Sequence, residues 1–207
     1  MKITTNKIFP KKLSKGDEIR VISPARSMSI ISSSVRSIAL KRLEKMGLKV
    51  SFSKHCDERD VFDSSSVGSR LEDIHEAFAD PKVKAILTTI GGSNSIHMLK
   101  ELDYKLIKEN PKILCGYSDI TTLQNAIFAK TGLVTYSGPH FSTFRCLEGI
   151  DYTIDCFKKC LFEGEEKVHL SYRKKSGQSI IMMFKESKRG MRMPRSRNLL
   201  LRLVNSL

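Results

Sequence analysis

Short apolar runs alternate with amphipathic stretches along most of this chain. Five runs have the length and the Val, Ile and Leu content of buried strands, and they span residues 16–25, 48–53, 83–90, 111–117 and 133–139. Apolar residues recur at helical spacing in the stretches between and after them, over residues 32–47, 69–81, 93–110, 119–132 and 152–164. This alternation predicts an α/β fold, an open parallel sheet with helices on both faces.

The alternation ends near residue 172. Of the net charge of +14, residues 1–172 carry +5, with 26 Lys and Arg against 21 Asp and Glu, and residues 173–207 carry +9, with 10 against 1. We therefore expect one domain over residues 1–172 and a basic, poorly ordered tail over residues 173–207. A basic cluster attracts nucleic acid, but few aromatic residues are interleaved with the cations of the tail, so nucleic-acid binding is not the expected function.

Several classes of protein do not fit this composition. No apolar run approaches the ~20 residues of a membrane helix, and no apolar stretch follows the charged N-terminus as it would in a secretory signal. A cytoplasmic location without membrane contact is expected. The five cysteines form no C-x-x-C pair, so we predict reduced structural thiols, no metal site and no cofactor.

The third predicted strand runs directly into Gly91-Gly92-Ser93-Asn94. Ligands of open parallel sheets bind beyond the carboxyl ends of the strands, and paired glycines let backbone N–H groups face a ligand or a developing oxyanion. A tight turn in which Ser93 or Asn94 caps the next helix explains the same residues without chemistry.

The fourth predicted strand ends in Gly116-Tyr117-Ser118-Asp119. This turn is close to the G-x-S-x-G elbow that presents a nucleophilic serine, although Ile120 stands in place of the second glycine. Taken alone, the pattern favours a Ser-Asp helix cap over a nucleophile. A nucleophile would also need a general base and a group that orients this base.

Four segments together resemble the LD-carboxypeptidase family of serine peptidases, and most closely its microcin C self-immunity branch. They occur in order as GDEIRVISPA, TTIGGSNS, CGYSDITTL and YSGPHFSTF, and the correspondence covers about residues 10–170. The resemblance implies a flavodoxin-like N-terminal domain that carries the nucleophile. It also implies cleavage of amide bonds next to a free carboxylate, in L,D-linked murein peptides or in peptidyl or aminoacyl nucleotides.

Carried over to this chain, the resemblance makes Ser118 the nucleophile and the backbone N–H groups of Gly92 and Asp119 the oxyanion hole. Gly91 and Ser93 would contact the substrate, a small peptide or a peptidyl nucleotide. A homodimer is compatible with this assignment.

The chain departs from the family after about residue 172. The family continues through an acidic, Trp-containing linker into a C-terminal domain that supplies the Glu and His of a Ser-Glu-His triad, whereas this chain has no Trp. We expect that the reading frame was lost near residues 173–176 and that the chain is an inactive or impaired hydrolase. A non-catalytic ligand-binding remnant is the alternative. His140, which follows the fifth strand, could serve as a substitute base or could simply pack or cap.

Overall fold

The computed structural model describes residues 6–146 and 148–162. The predicted boundary at residue 172 and the basic tail lie outside the described residues. Five strands are present: β1 (Glu18–Ile22), β2 (Lys49–Phe52), β3 (Val83–Thr88), β4 (Ile113–Gly116) and β5 (Tyr136–Ser137). Five α-helices accompany them: α1 (Ser33–Lys45), α2 (Val67–Ala79), α3 (Tyr104–Glu109), α4 (Ile120–Thr131) and α5 (Ile150–Leu161).

The strands form one parallel sheet in the order β2-β1-β3-β4-β5. This is the flavodoxin-like, doubly wound order. The sequence prediction of an open parallel sheet is confirmed. Because β1, β3 and β4 are neighbours, the loops that follow these three strands meet at one edge of the sheet.

Two apolar clusters cover the two faces of the sheet. On one face, side chains of α1 and α5 such as Leu43 and Phe157 pack against the sheet. On the other face, side chains of α2, α3 and α4 such as Phe78, Ile107 and Leu123 do so. All five of these side chains are fully buried. Helices therefore lie on both faces, as the sequence predicts.

The prediction of one helix over residues 93–110 is wrong. The structure has a 3-10 helix at Ser95–Met98 and the separate helix α3. The carboxylate of Asp103 accepts a hydrogen bond from the Leu106 N–H at 2.8 Å. This side-chain cap starts a new helix inside a stretch whose apolar spacing continues across the break.

The fifth strand is shorter than the predicted run at residues 133–139. Only Tyr136 and Ser137 pair with β4. The Val134 N–H instead donates to the Ile8 carbonyl at 2.8 Å, so the first part of the run binds the N-terminal segment. Pro139 lacks an N–H and cannot extend the strand.

Among the described residues no helix is long and apolar enough to cross a membrane.

Candidate active site

The turns after β3 and β4 touch each other at the carboxyl edge of the sheet. A Cβ atom placed on Gly91 would lie 3.1 Å from Ser118 Cβ and 3.2 Å from Ser118 Oγ. The parallel register that pairs Leu87 with Cys115 puts the two turns side by side. The structure therefore brings the glycine pair and the serine into one site, and the missing side chain at Gly91 keeps the space beside Ser118 open.

Ser118 has a strained backbone. Its φ is 61°, in the left-handed region that residues other than Gly, Asn and Asp rarely adopt. Its side chain is exposed, and its hydroxyl makes no hydrogen bond to another described residue. The hydroxyl therefore does not cap α4, although the Ser118 carbonyl accepts the Thr121 N–H at 3.0 Å. The strained strand-to-helix turn presents the hydroxyl to solvent.

Asp119 occupies the N-cap position of α4, but its carboxylate does not cap that helix. It accepts hydrogen bonds from the N–H groups of Asn94 at 3.1 Å and Ser95 at 2.9 Å. The Ser95 hydroxyl returns a bond to the Asp119 carbonyl at 2.9 Å. The carbonyl of the peptide bond between Asn94 and Ser95 accepts a hydrogen bond from the Arg70 guanidinium at 3.0 Å. These bonds fix the β3 turn against the start of α4.

The two predicted oxyanion donors are available for a ligand. Within the described part of the chain, neither the Gly92 N–H nor the Asp119 N–H donates to another residue. The turn of Gly92 is tightly packed, since a Cβ atom there would lie 3.0 Å from the Cβ of Ala25. Unpaired N–H groups beside an exposed hydroxyl are what stabilisation of a tetrahedral oxyanion requires. Gly91 and Ser93 lie at the same edge.

His140 lies beside this site and is almost completely buried. Its Nδ1 atom hydrogen-bonds with Thr88 Oγ1 at 2.7 Å, and its ring lies 4.2 Å from the Tyr117 ring, centre to centre. Its Nε2 atom is buried without a partner among the described residues, Ser118 Oγ included. Burial lowers the pKa of His140 to about 4. The imidazole is therefore neutral but only weakly basic at pH 7, which suits packing and hydrogen bonding better than proton abstraction.

Gly116 allows this histidine arrangement. A Cβ atom on Gly116 would overlap Thr88 Oγ1, the atom that hydrogen-bonds with His140. The glycine before the serine is thus required by the close approach of β3, and its φ is not in the left-handed region. This contact explains the glycine of the G-x-S turn.

An open pocket of about 360 Å³ joins these elements. Eight residues line it: Arg26, Ile90, Gly91, Gly92, Ser93, Tyr117, Ser118 and His140. Arg26 was missed by the sequence reasoning. It stands directly after a predicted strand, in ISPAR, where the rule that ligands bind beyond carboxyl ends could have found it.

Neither Cys115 nor Cys56 offers an alternative nucleophile. Cys115 is fully buried and burial raises its pKa, while burial raises the pKa of Cys56 to about 12. In the described ranges no group of three or more His, Cys, Asp and Glu side chains could hold a metal ion.

Comparison with known proteins shows the family. The family model of the LD-carboxypeptidase N-terminal domain matches residues 19–138. The chain therefore belongs to the LD-carboxypeptidase family. It is 58% identical over 153 residues to the YocD protein of Bacillus subtilis, a match that covers 74% of this chain and 47% of that protein. The solved structure of an MccF-like protein from Bacillus anthracis is 62% identical, with a TM-score of 0.74, and the match covers 75% of this chain and 47% of that one.

One further relative has a name that states its substrate, and another was solved with a bound ligand. The murein tetrapeptide carboxypeptidase of Pseudomonas aeruginosa is 34% identical over 122 residues, which is 58% of this chain and 38% of that protein. The microcin C7 self-immunity protein MccF, solved with aspartyl sulfamoyl adenosine, is 32% identical with a TM-score of 0.73, and the match covers 77% of this chain and 48% of that one. This chain spans about half the length of the relatives it matches.

Proposed function

We propose that this chain carries the nucleophile of a serine hydrolase that cleaves amide bonds next to a free carboxylate. The observation that supports this most is Ser118, an exposed serine held at a φ of 61° between a strand and a helix. Two N–H groups without partners among the described residues, those of Gly92 and Asp119, flank it. The family membership supports the reaction class.

In the proposed reaction, Ser118 Oγ attacks the carbonyl carbon of the amide. The carbonyl oxygen gains the negative charge and accepts hydrogen bonds from the N–H groups of Gly92 and Asp119, each typically worth about 3 to 4 kcal/mol of barrier. The proton taken from the Ser118 hydroxyl passes to the nitrogen, the C–N bond breaks and the amine leaves, and water then hydrolyses the acyl-serine ester to a carboxylic acid and free Ser118. Gly91 and Ser93 contact the substrate beside the scissile bond.

The proton of Ser118 needs an acceptor. Within the described residues no base is hydrogen-bonded to the Ser118 hydroxyl, and His140 has a pKa of about 4. Removal of a triad base typically costs about 10⁴-fold or more in rate. We therefore propose that this chain by itself is an impaired hydrolase, because the described residues hold no base for Ser118 comparable to the Glu and His of the family triad.

The names of the relatives suggest two substrate classes. One is an L,D-linked murein peptide, by analogy with the Pseudomonas aeruginosa enzyme, and the other is an aminoacyl or peptidyl nucleotide, by analogy with MccF. Both are small ligands with an amide-type bond near an anionic group. The open pocket at Ser118 is compatible with either.

The test is hydrolysis of an L,D-linked murein tetrapeptide by the purified chain and by Ser118→Ala. We expect slow turnover, at least about 10⁴-fold below that of a full-length relative, and its complete loss in Ser118→Ala. Turnover that persists in Ser118→Ala would exclude Ser118 as the nucleophile. Fast turnover that depends on Ser118 would contradict the proposed impairment but keep the nucleophile.

A second candidate function is ligand binding without turnover. The lack of a hydrogen-bonded base at Ser118 among the described residues favours it, since the pocket and its N–H donors exist without one. Calorimetry with product peptides, combined with labelling by an activated ester, separates the two candidates. A binding protein binds these peptides and never acylates Ser118, whereas an impaired hydrolase forms a slow covalent adduct at Ser118 with the ester.

A further inference from the structure

The arginines of the described residues fall into two groups. Five of the seven donate to carboxylates or backbone carbonyls, namely Arg20, Arg36, Arg42, Arg59 and Arg70. The other two, Arg26 and Arg145, are exposed and make no hydrogen bond or ion pair to another described residue. Arg26 lines the pocket at Ser118, whereas Arg145 does not.

Arg26 is held directly beside the glycine turn. A Cβ atom on Gly92 would lie 3.3 Å from the Arg26 backbone nitrogen and 3.4 Å from its Cγ atom. The neighbouring backbone is anchored on both sides: the Ala25 carbonyl accepts the Ser64 hydroxyl at 2.6 Å, and the Ser27 N–H donates to the Asp63 carbonyl at 2.8 Å. An anchored loop therefore presents the guanidinium at the edge of the pocket.

The charge of the pocket is set by this guanidinium. Of the described residues that line the pocket, Arg26 is the only one that carries a formal charge at pH 7, because His140 is neutral. The nearby carboxylate of Asp119 is turned to the N–H groups of Asn94 and Ser95. An unpaired cation in a pocket without a neighbouring free carboxylate attracts an anionic group of the ligand.

We propose that Arg26 binds the free carboxylate of the substrate and so directs hydrolysis to the amide next to it. The inference rests on the proposed function and adds the residue that recognises the carboxyl group. A guanidinium fork matches a carboxylate with two parallel hydrogen bonds. Arg26 leaves the N–H groups of Gly92 and Asp119 free for the carbonyl oxygen, so one substrate engages both sets of donors.

The test measures binding to the chain that carries Ser118→Ala, which keeps the pocket and removes the nucleophile. The probes are N-acetyl-L-lysyl-D-alanine and its C-terminal amide, which differ only at the carboxylate. We expect calorimetry to give at least about tenfold tighter binding of the acid. Adding Arg26→Gln should abolish this preference, and Arg26→Lys should keep part of it because a point charge remains. Arg145→Gln is the matched control and should leave the preference unchanged.

Two results would overturn the proposal. One is an acid-to-amide affinity ratio that Arg26→Gln leaves unchanged. The other is a dissociation constant of the acid above about 10 mM, which is weaker than the range of about 1 μM to 1 mM that is typical of substrate KM values. AMP serves as a third probe. If Arg26→Gln weakens the binding of AMP but not that of the acid, the guanidinium recognises a phosphate and the carboxylate assignment is wrong.

The outcome is independent of whether Ser118 is a nucleophile. Carboxylate selectivity that depends on Arg26 can be present in a chain that never hydrolyses an amide. Conversely, turnover that depends on Ser118 but ignores the terminal carboxylate would leave Ser118 as the nucleophile and remove the role of Arg26.

Discussion

The Asp119 carboxylate accepts the Ser95 N–H at 2.9 Å, and the Ser95 hydroxyl donates back to the Asp119 carbonyl at 2.9 Å. These two reciprocal bonds join residues 24 positions apart and fasten the turn after β3 to the start of α4. The proposed oxyanion donors lie on the two joined segments. Their spacing therefore depends on this pair.

The first prediction concerns this pair. Asp119→Ala leaves the N–H groups of Asn94 and Ser95 unpaired, so we expect a loss of about 1 to 3 kcal/mol in the free energy of unfolding and weaker ligand binding. Asp119→Asn keeps an acceptor oxygen, so its losses in unfolding free energy and in ligand affinity should be smaller. Urea unfolding and calorimetry measure the two effects. Equal stability and binding in the Ala and Asn variants would show that the pair does not organise the site.

The second prediction concerns the strain at Ser118. Because φ is 61°, glycine should fit this position better than alanine, so Ser118→Gly should be about 1 kcal/mol more stable than Ser118→Ala. Ser37, exposed within α1, gives a control of opposite sign: Ser37→Gly should be about 1 kcal/mol less stable than Ser37→Ala. Thermal unfolding of the four variants measures these differences in stability. If the difference in unfolding free energy between the Gly and Ala variants has the same sign at both positions, the backbone of Ser118 is not strained.

The third prediction concerns the close approach of β3 and β4. Gly116→Ala places a methyl group against Thr88 Oγ1, and overpacking of this kind typically costs about 1 to 3 kcal/mol. Thr88→Ala removes the colliding atom, so Gly116→Ala should cost clearly less in that background. A double-mutant cycle of unfolding free energies measures the coupling. Additive effects would exclude the collision.

The fourth prediction concerns the pH dependence of stability. Burial lowers the pKa of His140 from 6.5 to about 4. In this window the unfolded chain binds more protons at this position than the folded chain, so stability falls as the pH falls from 6.5 to 4. The loss attributable to His140 is on the order of 3 kcal/mol.

His140→Gln removes this titration and serves as the reference. The difference in unfolding free energy between the parent chain and His140→Gln, measured across a range of about pH 4 to 7, isolates the histidine, since all carboxylates are shared. If the two curves run parallel, the imidazole of His140 is not desolvated. A direct check is the titration of the His140 ring signals by NMR, which should remain those of a neutral imidazole at about pH 5.

The sheet and its two helical faces could be predicted from the sequence because period and length distinguish buried strands from amphipathic helices. The break inside residues 93–110 could not, since Leu99 and Leu102 continue the apolar spacing across it and the Asp103 cap competes locally. The shortening of the fifth strand depends on Ile8, which is distant in the sequence and binds Val134. Such distant pairings leave no local pattern.

In the candidate site, too, some features could be predicted from local sequence and others could not. The glycine pair and the serine turn could be named as candidates because short motifs encode backbone geometry. The bonds of the Asp119 carboxylate to another turn, the buried Nε2 atom of His140 and the position of the Arg26 guanidinium depend on side-chain neighbours in space. A helix cap was the simpler local explanation of Ser118-Asp119, and neither side chain caps α4 in the structure.

The strand order has a geometric consequence for substrate length. The loop of Arg26 follows β1 and that of Ser118 follows β4, with β3 between them, and neighbouring strands are about 4.8 Å apart. The proposed carboxylate anchor, Arg26, and the proposed nucleophile, Ser118, are thus carried by loops whose strands lie roughly two strand spacings apart, about 10 Å. The spacing of the hydrogen-bonded strands therefore sets the separation of these two loops. If Arg26 and Ser118 have the proposed roles, the spacing between β1 and β4 limits the distance between the carboxylate and the scissile amide of a substrate.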